Sequence, residues 1–242
     1  MRAGFVALVG RPNAGKSTLL NQLVGTKLAI VSDKPQTTRN RIVGVRTRPT
    51  GQIAYLDTPG IHKPLKRLNA RMMDVSRAVL REVDVVTLVI DATAPEGAGD
   101  RFVRELVATV RVPVVIALNK VDLVDKAALL PRIAALADRQ MATDVVPVSA
   151  TTGENVDRLE SVLLGHLPEG APLFPEDYLT DQPERFFAAE LVREQVLRHT
   201  HAELPFSTAV VVDQFGEPET PGGLLRLHCS ILVERATQKP IL

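Results

Sequence analysis

The stretch Gly10-Arg11-Pro12-Asn13-Ala14-Gly15-Lys16-Ser17 constrains the fold of this chain more than any other, because it lies between the apolar run Phe5 to Val9 and Thr18-Leu19-Leu20-Asn21-Gln22-Leu23. It reads as strand, glycine-rich loop and helix, and its G-x-x-x-x-G-K-[ST] spacing predicts a phosphate-binding P-loop. Each residue type has a separate job. Glycines let successive backbone N–H groups converge on an anion, and the helix N-terminus adds its positive dipole end. Lys16 supplies a point charge to the outer phosphates, and the Ser17 hydroxyl can ligate Mg²⁺.

Other motifs gain their weight from where they stand. After the polar, proline-marked loop Val31 to Arg39, strands are expected at Ile42 to Arg48 and Gln52 to Asp57, the second ending in Asp57-Thr58-Pro59-Gly60. An aspartate there can hold Mg²⁺ through water, and Gly60 can set a backbone N–H against the terminal phosphate. Asn119-Lys120-Val121-Asp122 ends the apolar strand Val112 to Leu118. The Asp122 carboxylate can accept hydrogen bonds from N1–H and the 2-amino group of guanine, an arrangement adenine does not offer. The wrong base would leave that carboxylate unpaired, so GTP rather than ATP is expected. Lys120 would lie along the purine, and Asn119 would tie the loops together. Ser149-Ala150-Thr151 follows a sixth strand, Asp144 to Val148, and Ala150 can offer its N–H to the guanine O6.

Helices are expected over 69–82, from the Asp100 cap to Val110, over 126–139 despite Pro131, and over 153–164, with a buried strand at Val83 to Asp91. Six strands alternating with helices predict an α/β, doubly wound sheet with ligands at the strands' carboxyl ends. Residues 1–167 form this domain, and the prolines at 168, 172, 175 and 183 mark a linker over 168–183. Residues 184–242 show a second pattern: an amphipathic helix with Phe187, Leu191, Val192, Gln195 and Val196 near helical register, then strands at Ser207 to Phe215 and Leu224 to Arg235. Helix, strand and strand make about half of a small α/β domain.

The net charge of +1 is uninformative, but nine cations face the single acid Asp33 in the first fifty residues. The cluster from Lys34 to Arg48 can meet RNA phosphates or can keep an edge strand from aggregating. A lone Cys229 leaves no internal disulfide and reads as core filler on the strand face it shares with Leu225, Leu227, Ile231 and Val233. The apolar runs are too short to span a bilayer, and the N-terminus lacks a signal peptide's cleavage region, so the cytosol is the expected compartment.

With GRPNAGKS, QTTRNR, DTPG, NKVD and SAT in this order, followed by ELPFSTAVVV and LLRLHCSILVERATQKPIL, the chain resembles the Era family of bacterial GTPases. The resemblance covers essentially the whole chain. It implies a GTP-hydrolysing switch, cycling between GTP and GDP, that binds the small ribosomal subunit near the 3′ end of 16S RNA during assembly and rRNA processing. It also implies peripheral association with the inner face of the membrane from the cytoplasm; the oligomeric state is open, with a monomer favoured. By position it implies nucleotide contacts from Gly10 to Thr18, from Asp57 to Ile61, from Asn119 to Asp122 and from Ser149 to Thr151. Gln36, Thr37, Thr38, Arg39 and Asn40 form the switch, with Ser17, Thr38 and Asp57 serving Mg²⁺. Asn13 resembles the P-loop asparagine that holds K⁺ in related GTPases. Ile61 stands where many GTPases keep a water-orienting glutamine, so slow intrinsic hydrolysis is expected. The second half is similar to the start of an RNA-binding KH domain, whose G-x-x-G loop would be expected just where this chain stops. The chain is therefore expected to be either truncated inside that domain or a shortened variant, and to lack its RNA clamp. Two other readings stay open: a related GTPase of tRNA modification or another ribosomal stage, and a nucleotide-gated RNA-binding module with incidental turnover.

Overall fold

The computed structural model describes residues 1–32, 34, 37–61, 67–138, 141–200, 204–216, 220 and 223–241. The switch residue Gln36 lies outside them, as do Arg139 and the acid Asp33. Contacts divide the chain into one unit of Met1–Ala29 with Pro35–Asp181 and a second of Ile30–Lys34 with Gln182–Leu242.

In the first unit, β1 (Arg2–Val9), β3 (Gly51–Asp57), β4 (Val85–Asp91), β5 (Val114–Asn119) and β6 (Asp144–Pro147) run parallel, and β2 (Ile42–Arg48) pairs antiparallel with β3. The order is β2-β3-β1-β4-β5-β6. The chain therefore builds first to one side of β1 and then to the other, which puts the topological switch point at the carboxyl end of β1. Val6, Ala7, Leu8 and Val9 are wholly buried there. Strands β4 and β5 are continuous apolar runs because both of their faces are covered.

The helices are α1 (Lys16–Val24), α2 (Arg67–Val79), α3 (Ala98–Val107), α4 (Lys126–Ala137) and α5 (Val156–His166). Helix α3 starts two residues before the expected cap: Gly97 is the N-cap, and Asp100 accepts the Gly97 N–H at 3.0 Å. Pro131 stands inside α4, which continues through it although one backbone donor is missing.

Gln52 is fully buried and holds down the segment that follows α5. Its Oε1 accepts the N–H groups of Leu173 and Phe174 at 2.8 and 2.9 Å, and its Nε2 donates to the Phe174 carbonyl at 2.9 Å. Phe174 stacks on Tyr178 at 4.7 Å and meets Phe5 edge-on.

The second unit holds α6 (Glu184–His199), α7 (Leu204–Ser207) and an antiparallel pair, β7 (Thr208–Gly216) with β8 (Arg226–Val233). The buried positions of α6 are Arg193, Glu194, Val196 and Leu197, whereas the expected core residue Leu191 is 48% exposed. Two ionic residues can sit inside because they are paired. Arg193 makes a two-pronged contact with Glu190, and Glu194 accepts the Val31 N–H at 3.1 Å and a bond from Arg198 at 3.3 Å. Lys34 Nζ donates to the carbonyls of Leu197 and Thr200, at the end of α6 where carbonyls lack helical partners and the dipole is negative. Cys229 is half-buried, and its neighbours Leu225, Leu227 and Ile231 are exposed, so the face expected to be core is open among the described residues.

Candidate nucleotide site

The loop after β1 is shaped by close approaches that forbid side chains. A Cβ on Gly10 would sit 2.5 Å from the Val89 carbonyl oxygen. Gly15, the N-cap of α1 at φ 94°, would place one 2.2 Å from Asn119 Nδ2. Among the described residues, α1 has no side-chain cap and no acid in its first turn, which leaves its first N–H groups for an anion. Lys16 lies folded under this loop, donating to the carbonyls of Gly10 at 3.2 Å and Arg11 at 3.0 Å. Burial lowers its pKa to about 8, against the pull of Asp57. Asn13 is exposed at φ 62°, and Thr18 is half-buried behind Ser17.

Three oxygens converge beside Lys16. Asp57 Oδ2 accepts the Ser17 hydroxyl at 2.8 Å and the Thr38 hydroxyl at 3.0 Å, and the two hydroxyls are 2.8 Å apart. Burial raises the Asp57 pKa, with Lys16 and the two hydroxyl bonds opposing it. Its Oδ1 is buried without a hydrogen-bond partner among the described residues. A hard, oxygen-seeking cation suits such a set, so the residues fit Mg²⁺. Thr38 is buried in this cluster, Thr37 and Arg39 are half-buried, and Asn40 is exposed. Gly60 presses on the P-loop, where its Cβ would meet the Pro12 Cα at 2.9 Å, and Thr58 Oγ1 donates to the Leu8 carbonyl at 2.8 Å. Pro59 is buried between them in sequence. Ile61 N–H donates to the Gly10 carbonyl at 3.0 Å.

Asn119 ties the loops together as expected of it: Nδ2 donates to the Ala14 carbonyl and Oδ1 accepts the Ala150 N–H, both at 2.9 Å. In this structure the Ala150 N–H, expected to meet the guanine O6, donates to Asn119 Oδ1. Ser149 is buried and its Oγ accepts the Thr152 N–H at 3.1 Å, whereas Thr151 is exposed. Val121 is buried and Asp122 is exposed at the head of the turn Val121–Leu123, free to meet a base from solvent.

Asp91, at the end of β4, was not marked by any motif. Its Oδ2 accepts Lys120 Nζ at 2.7 Å and lies 3.5 Å from Arg11 Nη2, while its Oδ1 accepts the N–H and hydroxyl of Thr93 at 2.9 and 2.6 Å. The signal that could have found it is its place: like Asp57, it is an acid at the carboxyl end of an apolar strand next to β1.

Three cations of the basic run have internal partners. Arg41 pairs with Asp181 at 3.6 Å, Arg46 donates to the Val24 carbonyl at 3.2 Å, and Arg48 takes Glu160 with two bonds of 3.1 and 3.2 Å. Among the described residues there is no metal-binding group of three or more His, Cys, Asp or Glu, and no helix is long and apolar enough to cross a membrane.

Residues 5–120 match the family described as 50S ribosome-binding GTPase. The chain is 49% identical over 241 residues to the GTPase Era of Geobacter metallireducens, covering 100% of this chain and 80% of the relative. It is 43% identical over 240 residues to the GTPase Era of Staphylococcus haemolyticus, covering 99% and 80%. A crystal structure of Era in complex with MgGDPNP and nucleotides 1506–1542 of 16S ribosomal RNA is 41% identical with a TM-score of 0.94, covering 100% of this chain and 82% of that one. A variant of Aquifex aeolicus Era bound to GDP·AlF4⁻ is 40% identical with a TM-score of 0.91, at the same coverage.

Proposed function

This chain belongs to the Era family of GTPases, and we propose that it works as a GTP-operated switch in small ribosomal subunit assembly and 16S rRNA processing. The observation that carries the switch is the convergence of Ser17, Thr38 and Asp57, since Thr38 lies on the loop between α1 and β2 and reaches the P-loop cluster through one carboxylate oxygen. A bound Mg²⁺ would neutralise charge on the outer phosphates. Ser17 and Thr38 would hold it, with Asp57 acting through water. Gly10 to Thr18 would cradle the phosphates with backbone N–H groups, and Lys16 would turn from the Gly10 and Arg11 carbonyls to the anion. Gly60 would offer its N–H to the terminal phosphate, and Asp122 would read guanine. Asn13 is the residue that would favour K⁺ beside the phosphates.

Residues 1–167 would act as the GTPase domain and 184–242 as a partial KH-like domain, joined by 168–183. The proposed ribosomal partner rests on the full-length likeness to an Era bound to 16S nucleotides, and peripheral membrane attachment remains part of the family reading. RNA contact through Arg41 and Arg48 would compete with their ion pairs to Asp181 and Glu160, and through Arg46 with its bond to the Val24 carbonyl. The buried side chain of Ile61 supports a slow intrinsic rate and keeps a second reading in play, an RNA-binding module gated by nucleotide occupancy.

Binding of labelled GTP and ATP to wild type and Asp122→Ala, repeated with 16S 3′-end RNA, tests the site. GTP-selective binding abolished by the substitution is expected, and equal binding of ATP would overturn the guanine assignment. Single-turnover hydrolysis with and without small subunits tests the switch, because a rate indifferent to the subunit would favour occupancy over turnover.

A further inference from the structure

Lys120 adopts a left-handed backbone, φ 67°, at the point where β5 gives way to the guanine-reading turn. A non-glycine residue is strained in that conformation. Its side chain is 30% exposed, so most of the stem is covered while the ammonium can still reach solvent. The neighbouring P-loop cation Arg11 is similar, with 27% of its side chain exposed. Between them stands the Asp91 carboxylate, 8% exposed and carried on a central strand whose last residue pairs in register with Asn119. Its 2.7 Å contact with Lys120 Nζ has the length of a charge-assisted hydrogen bond. The carboxylate is itself immobilised: Thr93 occupies Oδ1, and Arg132 braces the following turn by donating to the carbonyls of Ala92 and Ala94.

We propose that Asp91 is the positioning residue of the guanine-reading loop, holding Lys120 in the orientation that retains bound nucleotide. It acts through Lys120, with Arg11 as a weaker second partner at 3.5 Å. The proposal rests on the nucleotide-site reading above and adds a residue that the phosphate and base motifs omit. The rigid strand end and the braced turn make the carboxylate a fixed reference point for the end of a long, flexible side chain.

Release of a fluorescent GDP, chased with excess unlabelled GTP, tests this. Asp91→Ala is expected to speed release about ten- to hundredfold, the range that a charged hydrogen bond supports. Asp91→Asn, which keeps the shape and one acceptor, is expected to speed it less, and it carries the same test should the alanine variant not fold. Lys120→Ala should release as fast as Asp91→Ala, and the double variant no faster than Lys120→Ala alone. Thr93→Val, which removes the hydroxyl bond to Oδ1 and leaves Oδ2 on Lys120, should speed release less than Asp91→Ala. Release by both Asp91 variants at the wild-type rate would overturn the proposal, as would additive acceleration in the double variant. Wild type that fails to retain the fluorescent GDP would instead remove the site reading, and this proposal with it.

Discussion

Ile61 is hydrogen-bonded through its main chain to the Gly10 carbonyl at 3.0 Å, while its side chain lies fully buried in the core cluster that includes Ala7, Val9, Met73 and Val79. The backbone thus locks the end of the Asp57-to-Gly60 loop to the first P-loop residue. The side chain faces away from any place where it could touch a nucleophilic water.

Replacing Ile61 with glutamine is therefore expected to destabilise the protein by about 1–3 kcal/mol, the cost of burying an unpaired amide. It should leave the single-turnover hydrolysis rate no higher than wild type. Chemical denaturation and a burst-free GTP assay check the two parts, and a faster rate would show that the side chain can swing to the phosphates.

Asn119→Ala is expected to weaken both the fold and nucleotide retention. It orphans the Ala14 carbonyl and the Ala150 N–H, each now bonded at 2.9 Å. Each unsatisfied group costs about 1–3 kcal/mol where water cannot replace the partner. Asn119→Asp should rescue only the Ala150 half, because a carboxylate cannot donate to Ala14. Melting temperatures of the two variants with and without GDP decide the matter.

Tyr55 offers the opposite case. Its side chain is fully buried and its hydroxyl has no hydrogen-bond partner among the described residues. Tyr55→Phe removes a desolvated polar group without changing the shape of the core, and is expected to stabilise the protein by about 1 kcal/mol. A lower denaturation midpoint for the variant would mean that the hydroxyl is satisfied in solution.

Acid stability should carry the mark of Asp91. Burial alone would raise its pKa, but the bonds from Lys120 and Thr93 outweigh burial and hold it below the ordinary 3.8. The unfolded chain therefore binds this proton first as pH falls. The stabilisation is complete above about pH 4 and is lost as pH drops through the lower folded value. Asp91→Asn should show a shallower fall in unfolding free energy below pH 4 than wild type. Equal slopes would mean that the carboxyl is unperturbed.

What the sequence made legible is what the chemistry demands of neighbouring residues. The P-loop, Asp57 to Gly60 and Asn119 to Asp122 each need consecutive residues at a strand end, so spacing and position revealed them together with the α/β fold. Contacts between distant residues were hidden. Ala150 meets Asn119, Lys120 meets Asp91, and Gln52 holds Phe174 across more than a hundred positions, with no local pattern to announce any of them. The charge of Arg41, Arg46 and Arg48 could be counted but not its partners, which is why a surface for RNA phosphates and an edge strand kept from aggregating by its charges looked alike. In α6 the apolar spacing pointed to Val196, which is buried, but also to Leu191, which is exposed, and it missed the paired charges of Arg193 and Glu194 that the helix buries beside Val196 and Leu197.

The grouping of Ile30–Lys34 with the second unit means that the two units are not successive lengths of chain. Only a few residues separate Lys34, bonded to the end of α6, from Thr38 in the P-loop cluster. Cutting the polypeptide after residue 181 would therefore not yield a self-contained half. It would strip Glu194 and the α6 carbonyls from a segment that stays behind, leaving the Val31 N–H and the Lys34 ammonium to find new partners. The excised piece would report the behaviour of a loop released at one end, so its nucleotide kinetics would describe a different molecule.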